Sequence, residues 1–449
     1  MKISKIKINN SILFFLILIA ALFRGSALSI CVDISKFEFL AITLLFCIFL
    51  FKYKGIIYFS QIKRNIVPVF LILCAIPSLI ANWSRVGIEQ WWSYFFAILF
   101  AFFIVLIEEK ERILETFVKV MLFFAIFSLI CYTAFVIFKL PTDWMPLMTK
   151  ITDASIKYKT LLFYNIWTTE FTRNCGPFWE PSIYAAYLTF ALIIKCFWLK
   201  HGNTYRRDCI ILILTIISTA STGGYILLMF VACMLLWKKG KKSIIAAVIT
   251  IIGVTVMVVF GQSIMDWLLT INYDIFIKIA DFKTIGTTTT RFVSFWSNLA
   301  IWAEHPFLGV GLADIDSHYS FWKVIIGTKE LNAAQTSTST MFLAAFGILG
   351  IYHTYAWLKV TAIAKQLSFM QKVLFGVIIF FILNQTPHIS FIYTNLLLFV
   401  LLKKTRTNEK TDLKERNYTF SYYRKNEKNF VNTKTMTAQD KKKYLENKL

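Results

Sequence analysis

Apolar residues run along this chain in blocks of about twenty, divided by short polar stretches that are often basic. A helix rises about 1.5 Å per residue, so about 20 apolar residues cross the hydrocarbon core of a bilayer. The pattern predicts helical spans at 11–30, 37–51, 66–81, 91–107, 113–138, 182–199, 208–220, 222–237, 243–261, 337–358, 371–386 and 389–402. Ser221-Thr222-Gly223-Gly224 divides the seventh from the eighth, and Pro387 divides the last two. The short alternating segments of a membrane barrel are not the dominant pattern. The expected fold is an all-α polytopic membrane protein of about twelve spans.

Two stretches between spans are long, at about 139–181 and 262–336. Both are rich in aromatic residues, which argues for folded loops. In the second, Phe292, Phe295, Trp296, Leu299, Trp302 and Ala303 recur at helical spacing after a run of threonines. They predict an amphipathic helix lying on the membrane surface or capping the spans. It should end at His305, the residue before Pro306. The tail at 403–449 loses the apolar blocks and reads as a basic, disordered cytoplasmic segment.

Composition supports the membrane class: 57% of residues are hydrophobic, 16% are charged and the mean hydropathy is +0.62. The net charge of +23 suggests nucleic acid at first sight, but the positive residues fall between apolar blocks. Lys52, Lys54, Lys63 and Arg64 share one side with Lys110 and Arg112, with Lys200, Arg206 and Arg207, and with Lys238 to Lys242. Every second connection is basic, so the rule of positive cytoplasmic loops puts both termini in the cytoplasm. Nucleic acid is excluded as a partner, and membrane lipid is expected. The eight cysteines are scattered, without disulfide or metal-ligand spacing.

The stretch Arg173-Asn174-Cys175-Gly176-Pro177-Phe178-Trp179-Glu180-Pro181-Ser182 carries the most chemistry. Pro181 suits the first turn of a helix, which leaves Glu180 at its mouth, where free N–H groups favour anions. An Arg173–Glu180 ion pair or a capping role for Glu180 is the plainer reading. Ionisable groups at a membrane helix mouth are costly, which favours function. Arg291 opens the amphipathic helix as a candidate anion ligand, against a solvated or lipid-phosphate contact. Gly309 and Gly311 in His305-Pro306-Phe307-Leu308-Gly309-Val310-Gly311 allow a tight turn or a close ligand approach. Asp314, Asp316 and His318 follow, most simply as solvated residues. His305 and His318 lack the spacing of a ligand pair on one helix, so no metal is expected.

This ordered set resembles the O-antigen polymerase and ligase superfamily (Wzy-like proteins). The match rests on Arg-x-x-Gly-x-Phe-x-Glu-Pro-Ser at 173–182, the Ser-x-x-Ser-x-x-Gly break at 218–224, Arg291, the run at 305–311 and Gly-Ile-x-Gly at 347–350. It covers most of the chain up to Leu402. The resemblance implies a GT-C-like, metal-independent, inverting membrane glycosyltransferase, without cofactor, in the bacterial inner membrane. Its substrate would be a glycan on undecaprenyl diphosphate, and a chain-length regulator protein is an implied partner. The product would be O antigen of lipopolysaccharide, capsule or a related surface polysaccharide. In the ligases a His-Asn-like pair precedes the Gly-x-x-Gly segment; here Thr336-Ser337 fill that slot, which favours polymerase over ligase. A flippase is the alternative of another class, although no paired interrupted segments are seen. With this substrate, Arg173 and Arg291 are expected to hold the diphosphate. Glu180 is the first choice for the base and His305 the second. Trp179, Gly309, Gly311 and His318 are weaker candidates for contact with the glycan.

Overall fold

The computed structural model describes residues 10–23, 25–31, 43, 47, 65–83, 88–151, 153–168, 173–237, 287–326, 335–385 and 391–403. The expected spans at 37–51 and 243–261 lie almost wholly outside the described residues, as does the expected disordered tail from 404 onward. The described elements, in chain order, begin with α1 (Asn10–Phe23), α2 (Ala27–Cys31), α3 (Val67–Ala81), α4 (Ile88–Ile107) and α5 (Lys110–Tyr132). Then come β1 (Leu147–Lys150), β2 (Asp153–Leu161), β3 (Tyr164–Trp167), α6 (Pro181–Phe197), α7 (Tyr205–Ser218) and α8 (Thr222–Trp237). The last part holds α9 (Thr287–Glu304), α10 (Gly311–Ile326), α11 (Thr338–Phe346), α12 (Ile351–Ile363), α13 (Phe369–Leu383) and α14 (Ile392–Leu402).

The described chain is therefore mainly helical. Among the described residues, three helical runs are long and apolar enough to cross a membrane: Glu89–Ile107, Lys110–Ile137 and Thr338–Ile363. Six shorter apolar helices accompany them, from Ser11–Ala21 to Ile392–Leu402. The second run is α5 prolonged by a π turn at Thr133–Ile137. The third is bent rather than straight, because a 3-10 turn at Gly347–Gly350 divides α11 from α12. The first predicted span is also divided, into α1 and α2.

The centre of the molecule is α6. All of its residues from Pro181 to Ile194 are buried, and so is Cys196. A helix apolar on every side belongs inside a bundle, and α6 packs against α5, α7 and α8. The mouth of α6, where Glu180 stands, is thereby fixed by three neighbours.

The all-α expectation fails over residues 147–167. The first long loop is a three-stranded antiparallel sheet in the order β1-β2-β3. The local reason is a period of two: Tyr158 and Thr160 are buried, and Lys157 is exposed between Ile156 and Tyr158. The β2–β3 hairpin turns at Leu162, whose φ is +50°. Its tip carries Phe163, whose ring lies 5.7, 5.5 and 6.2 Å from those of Phe123, Phe124 and Phe127 on α5. A small second core of Cys131, Phe135, Met145, Tyr164 and Ile166 seals the sheet to the end of α5.

The second long stretch contains α9 and α10. As expected, α9 ends at Glu304, before His305-Pro306. Its exposure pattern bears on the two expected placements. Phe292 and Trp296 are 59% and 46% exposed, while Ser294, Ser297 and Asn298 are fully buried. The aromatic face thus turns outward, where it suits a lipid surface, and the polar face packs toward α11.

Candidate functional site

The loop entering α6 is built from both sides. Asn174 is fully buried. Its Nδ2 donates to Ser218 Oγ at 2.9 Å and to Ser128 Oγ at 3.3 Å, while its Oδ1 accepts from the Gly176 N–H at 2.9 Å. Its backbone N–H donates to the Ser218 carbonyl at 3.1 Å. One amide side chain thus ties the loop to α5, to the end of α7 and to itself. From the sheet, the Asn165 N–H and Nδ2 both donate to the Gly176 carbonyl, at 2.9 and 3.1 Å. Tyr158 OH donates to the Trp179 carbonyl at 2.9 Å. Gly176 has φ +54°, and a Cβ there would stand 2.4 Å from the Tyr184 ring, so the turn requires glycine.

Asn174→Ala is expected to lower stability by about 2 kcal/mol, because it leaves buried donors and acceptors unpaired. The check is the melting temperature of the purified protein in detergent, compared with that of a surface Asn→Ala variant.

Pro181 occupies the first helical position, as the sequence predicts, and Glu180 precedes it with extended φ and ψ. The capping explanation for Glu180 does not hold, because its side chain makes no hydrogen bond to the helix N–H groups. Its carboxylate instead accepts from Ser182 Oγ at 2.5 Å. Arg173 lies at the other end of the stretch, where its Nε donates to the Thr219 carbonyl at 3.4 Å. That contact brings in the Ser218–Gly224 break, a tight turn between α7 and α8. Ala220 sits there at φ +45°, and Ser221 Oγ accepts from the Gly224 N–H at 3.3 Å.

Arg291, in the first turns of α9, joins the same group. Burial lowers the Arg173 pKa, while Cys175, Glu180 and Tyr225 draw it back up. Burial also lowers that of Arg291, Glu180 raises it, and the like charge of Arg173 lowers it further. The three charged groups sense one another across more than a hundred residues of sequence. Arg291 is half-buried, and its guanidinium makes no hydrogen bond or ion pair among the described residues. Cys175, within the same stretch, is no nucleophile: burial pushes its thiol up to about 12.

The side of α9 opposite its exposed aromatics is held by a buried polar network. Ser294 Oγ accepts from the backbone N–H groups of Thr336 and Ser337, at 2.8 and 3.1 Å. Asn298 Oδ1 accepts from Gln335 Nε2 at 2.6 Å, and Asn298 Nδ2 donates to Thr340 Oγ1 at 3.2 Å. Ser337 Oγ, which accepts from Thr340 Oγ1 at 2.7 Å, donates in turn to Asn384 Oδ1. Ser337, in the slot of the ligase pair, thus helps set the position of Arg291. Sequence reading missed this network. Its signal was three polar residues, Ser294, Ser297 and Asn298, at helical spacing opposite an aromatic face.

The remaining candidates separate from this group. Thirteen residues of helix lie between Arg291 and His305, a separation of about 20 Å at the rise of an α-helix. His305 therefore does not share a reacting centre with Arg291. It lies instead beside His318 of α10, with ring centroids 5.4 Å apart at 80°. Gly309 and Gly311 serve packing. A Cβ on Gly309 would stand 2.4 Å from the backbone of Ala345, and one on Gly311 3.2 Å from Asn82. The Val310 N–H donates to the Ala344 carbonyl at 2.9 Å, and the Ile348 N–H to the Pro306 carbonyl at 2.7 Å. The run at 305–311 is thereby docked on the Gly347–Gly350 turn. Trp179 is half-buried and packs edge-on against Phe391 at 5.4 Å.

No protein-family model matches the chain, and no curated protein matches it.

Proposed function

We propose that this protein is an integral membrane glycosyltransferase that polymerises oligosaccharide units carried on undecaprenyl diphosphate. The observation that carries the reading is Arg291: a half-buried guanidinium without a side-chain partner among the described residues, within the fields of Arg173 and Glu180. A guanidinium offers five N–H donors in a fork that matches phosphate oxygens. Two arginines at partly dry positions form a site for a polyanion, and a carboxylate beside them provides a proton acceptor. The order of motifs along the chain supports the same reading. So does the apolar helical body, which suits insertion into a membrane; the alternation of basic connections along the sequence adds about twelve spans of a GT-C-like arrangement, with both termini on the cytoplasmic side of a bacterial inner membrane.

In this mechanism the hydroxyl of the incoming lipid-linked unit attacks the anomeric carbon of the growing chain. The bond from that carbon to the diphosphate oxygen breaks, and the lipid diphosphate leaves with the bonding pair. Glu180 takes the hydroxyl proton, and displacement from the opposite face inverts the centre. Arg173 and Arg291 hold the charge that develops on the phosphate oxygens. Ser182, through its hydrogen bond, fixes the Glu180 carboxylate at the mouth of α6.

Deleting the gene and sizing the surface glycan tests the class of reaction. A polymerase leaves single repeat units on their acceptor. Free polymer beside a bare acceptor means a ligase, and loss of both means a flippase. Glu180→Gln, which keeps the shape and the hydrogen bond to Ser182, is expected to lower transfer by about a hundredfold or more with the melting temperature unchanged. Normal turnover in that variant removes Glu180 from the chemistry.

A further inference from the structure

The second cluster of chemistry-bearing side chains lies at the far end of α9. Glu304, His305 and His318 each offer a ligand atom, and these atoms all lie within 4.8 Å of one another. Glu304 and His305 close α9, and His318 comes from α10, so a single ion would bridge the two helices. We propose that these three residues form a binding site for a divalent transition metal of the zinc class.

Four observations support the site. The donor set, two imidazoles and one carboxylate, is one that zinc accepts with a water in its fourth position. Neither imidazole nitrogen makes a hydrogen bond among the described residues, so both rings have a nitrogen ready to ligate. The two rings stand nearly perpendicular, at 80°, and converge from different helices. Trp322 Nε1 donates to Glu304 Oε2 at 3.0 Å; such outer contacts orient a ligating carboxylate and leave its other oxygen for the ion.

In a tetrahedral site with bonds of about 2.0–2.1 Å, donor atoms stand about 3.4 Å apart. Closing the present spacing takes a rotation of exposed side chains: Glu304 and His305 are both at the surface, and His318 is half-buried. Hard cations such as magnesium prefer an all-oxygen shell, so a site with two imidazoles selects against them. Lying about 20 Å along α9 from Arg291, the ion does no bond chemistry at the arginine group. Its effect is to pin the last turn of α9 to α10. The site stands independently of the proposed transferase activity.

The test uses the full-length, tag-free protein in detergent, stripped with EDTA and dialysed. Zinc is added against a chromophoric chelator, and cobalt is added to read the visible absorption of a tetrahedral site. The expected result is one equivalent bound, a tetrahedral cobalt spectrum and a higher melting temperature, with magnesium inert. His318→Ala and Glu304→Gln, both folded by size exclusion, should each weaken zinc binding at least tenfold, whereas His201→Ala should not. The proposal is overturned if zinc does not bind stoichiometrically, or if the His305→Ala/His318→Ala double variant binds it as tightly as the parent.

Discussion

Arg291→Ala is expected to leave the protein inserted and folded while surface glycan collapses from long chains to single repeat units. The basis is the environment of the guanidinium. It gives no side-chain hydrogen bond or ion pair to the described protein, so its removal breaks no such contact, whereas its charge is set beside Arg173 and Glu180. A preorganised donor aimed at developing charge is worth about 3–4 kcal/mol, or a loss of about 100- to 1000-fold when deleted. Arg173→Ala should match it in activity but cost some stability as well, through the bond to the Thr219 carbonyl. Arg291→Lys should recover only part of the rate, since an ammonium lacks the planar fork. Membrane fractions give the amount of inserted protein, and gel sizing gives chain length. Wild-type chain lengths in both alanine variants would discard the diphosphate clamp.

The second large effect is structural. Gly347→Ala is expected to destabilise the protein by about 4 kcal/mol, from a strained backbone and a forced clash together. Gly347 has φ +62° and ψ −147°, a region open almost only to glycine. A Cβ there would stand 2.3 Å from the Phe307 carbonyl carbon and oxygen, atoms that belong to a backbone and cannot step aside. The variant should melt far lower and be clipped by protease at low enzyme ratios. Gly202→Ala is the control: a Cβ there meets nothing within 4 Å, and it should change stability by under about 0.5 kcal/mol.

Much of the helical body was legible, because apolar blocks with polar ends report length directly. The end of α9 before Pro306 and the start of α6 at Pro181 were readable for the same kind of reason: proline acts locally. The sheet was missed because two of its three strands have only four residues, and a block-length reading passes over a period of two. The sequence left α9 between a membrane-surface helix and a cap over the spans, because aromatic spacing marks an amphipathic face without saying which side it turns to. Where the surroundings offer hydrogen bonds to Ser294 and Asn298 and lipid-like exposure to Phe292 and Trp296, the polar face goes inside. The grouping of Arg173, Glu180 and Arg291 followed from motif order. The His305–His318 pairing could not, since the residues sit on two helices joined by a turn, and a ligand spacing for one helix tests nothing there.

The way α9 is attached also bears on how the protein answers to its bilayer. Spans adjust to a thicker or thinner membrane by tilting, at a modest cost per ångström of mismatch. A helix moored to α11 and α13 by directional hydrogen bonds, from Ser294 and Asn298 through Ser337 to Asn384, does not slide along an apolar seam in the same way. Changes in acyl-chain length should therefore tilt the outer spans and leave the seating of Arg291 against α11 and the end of α13 largely unaltered.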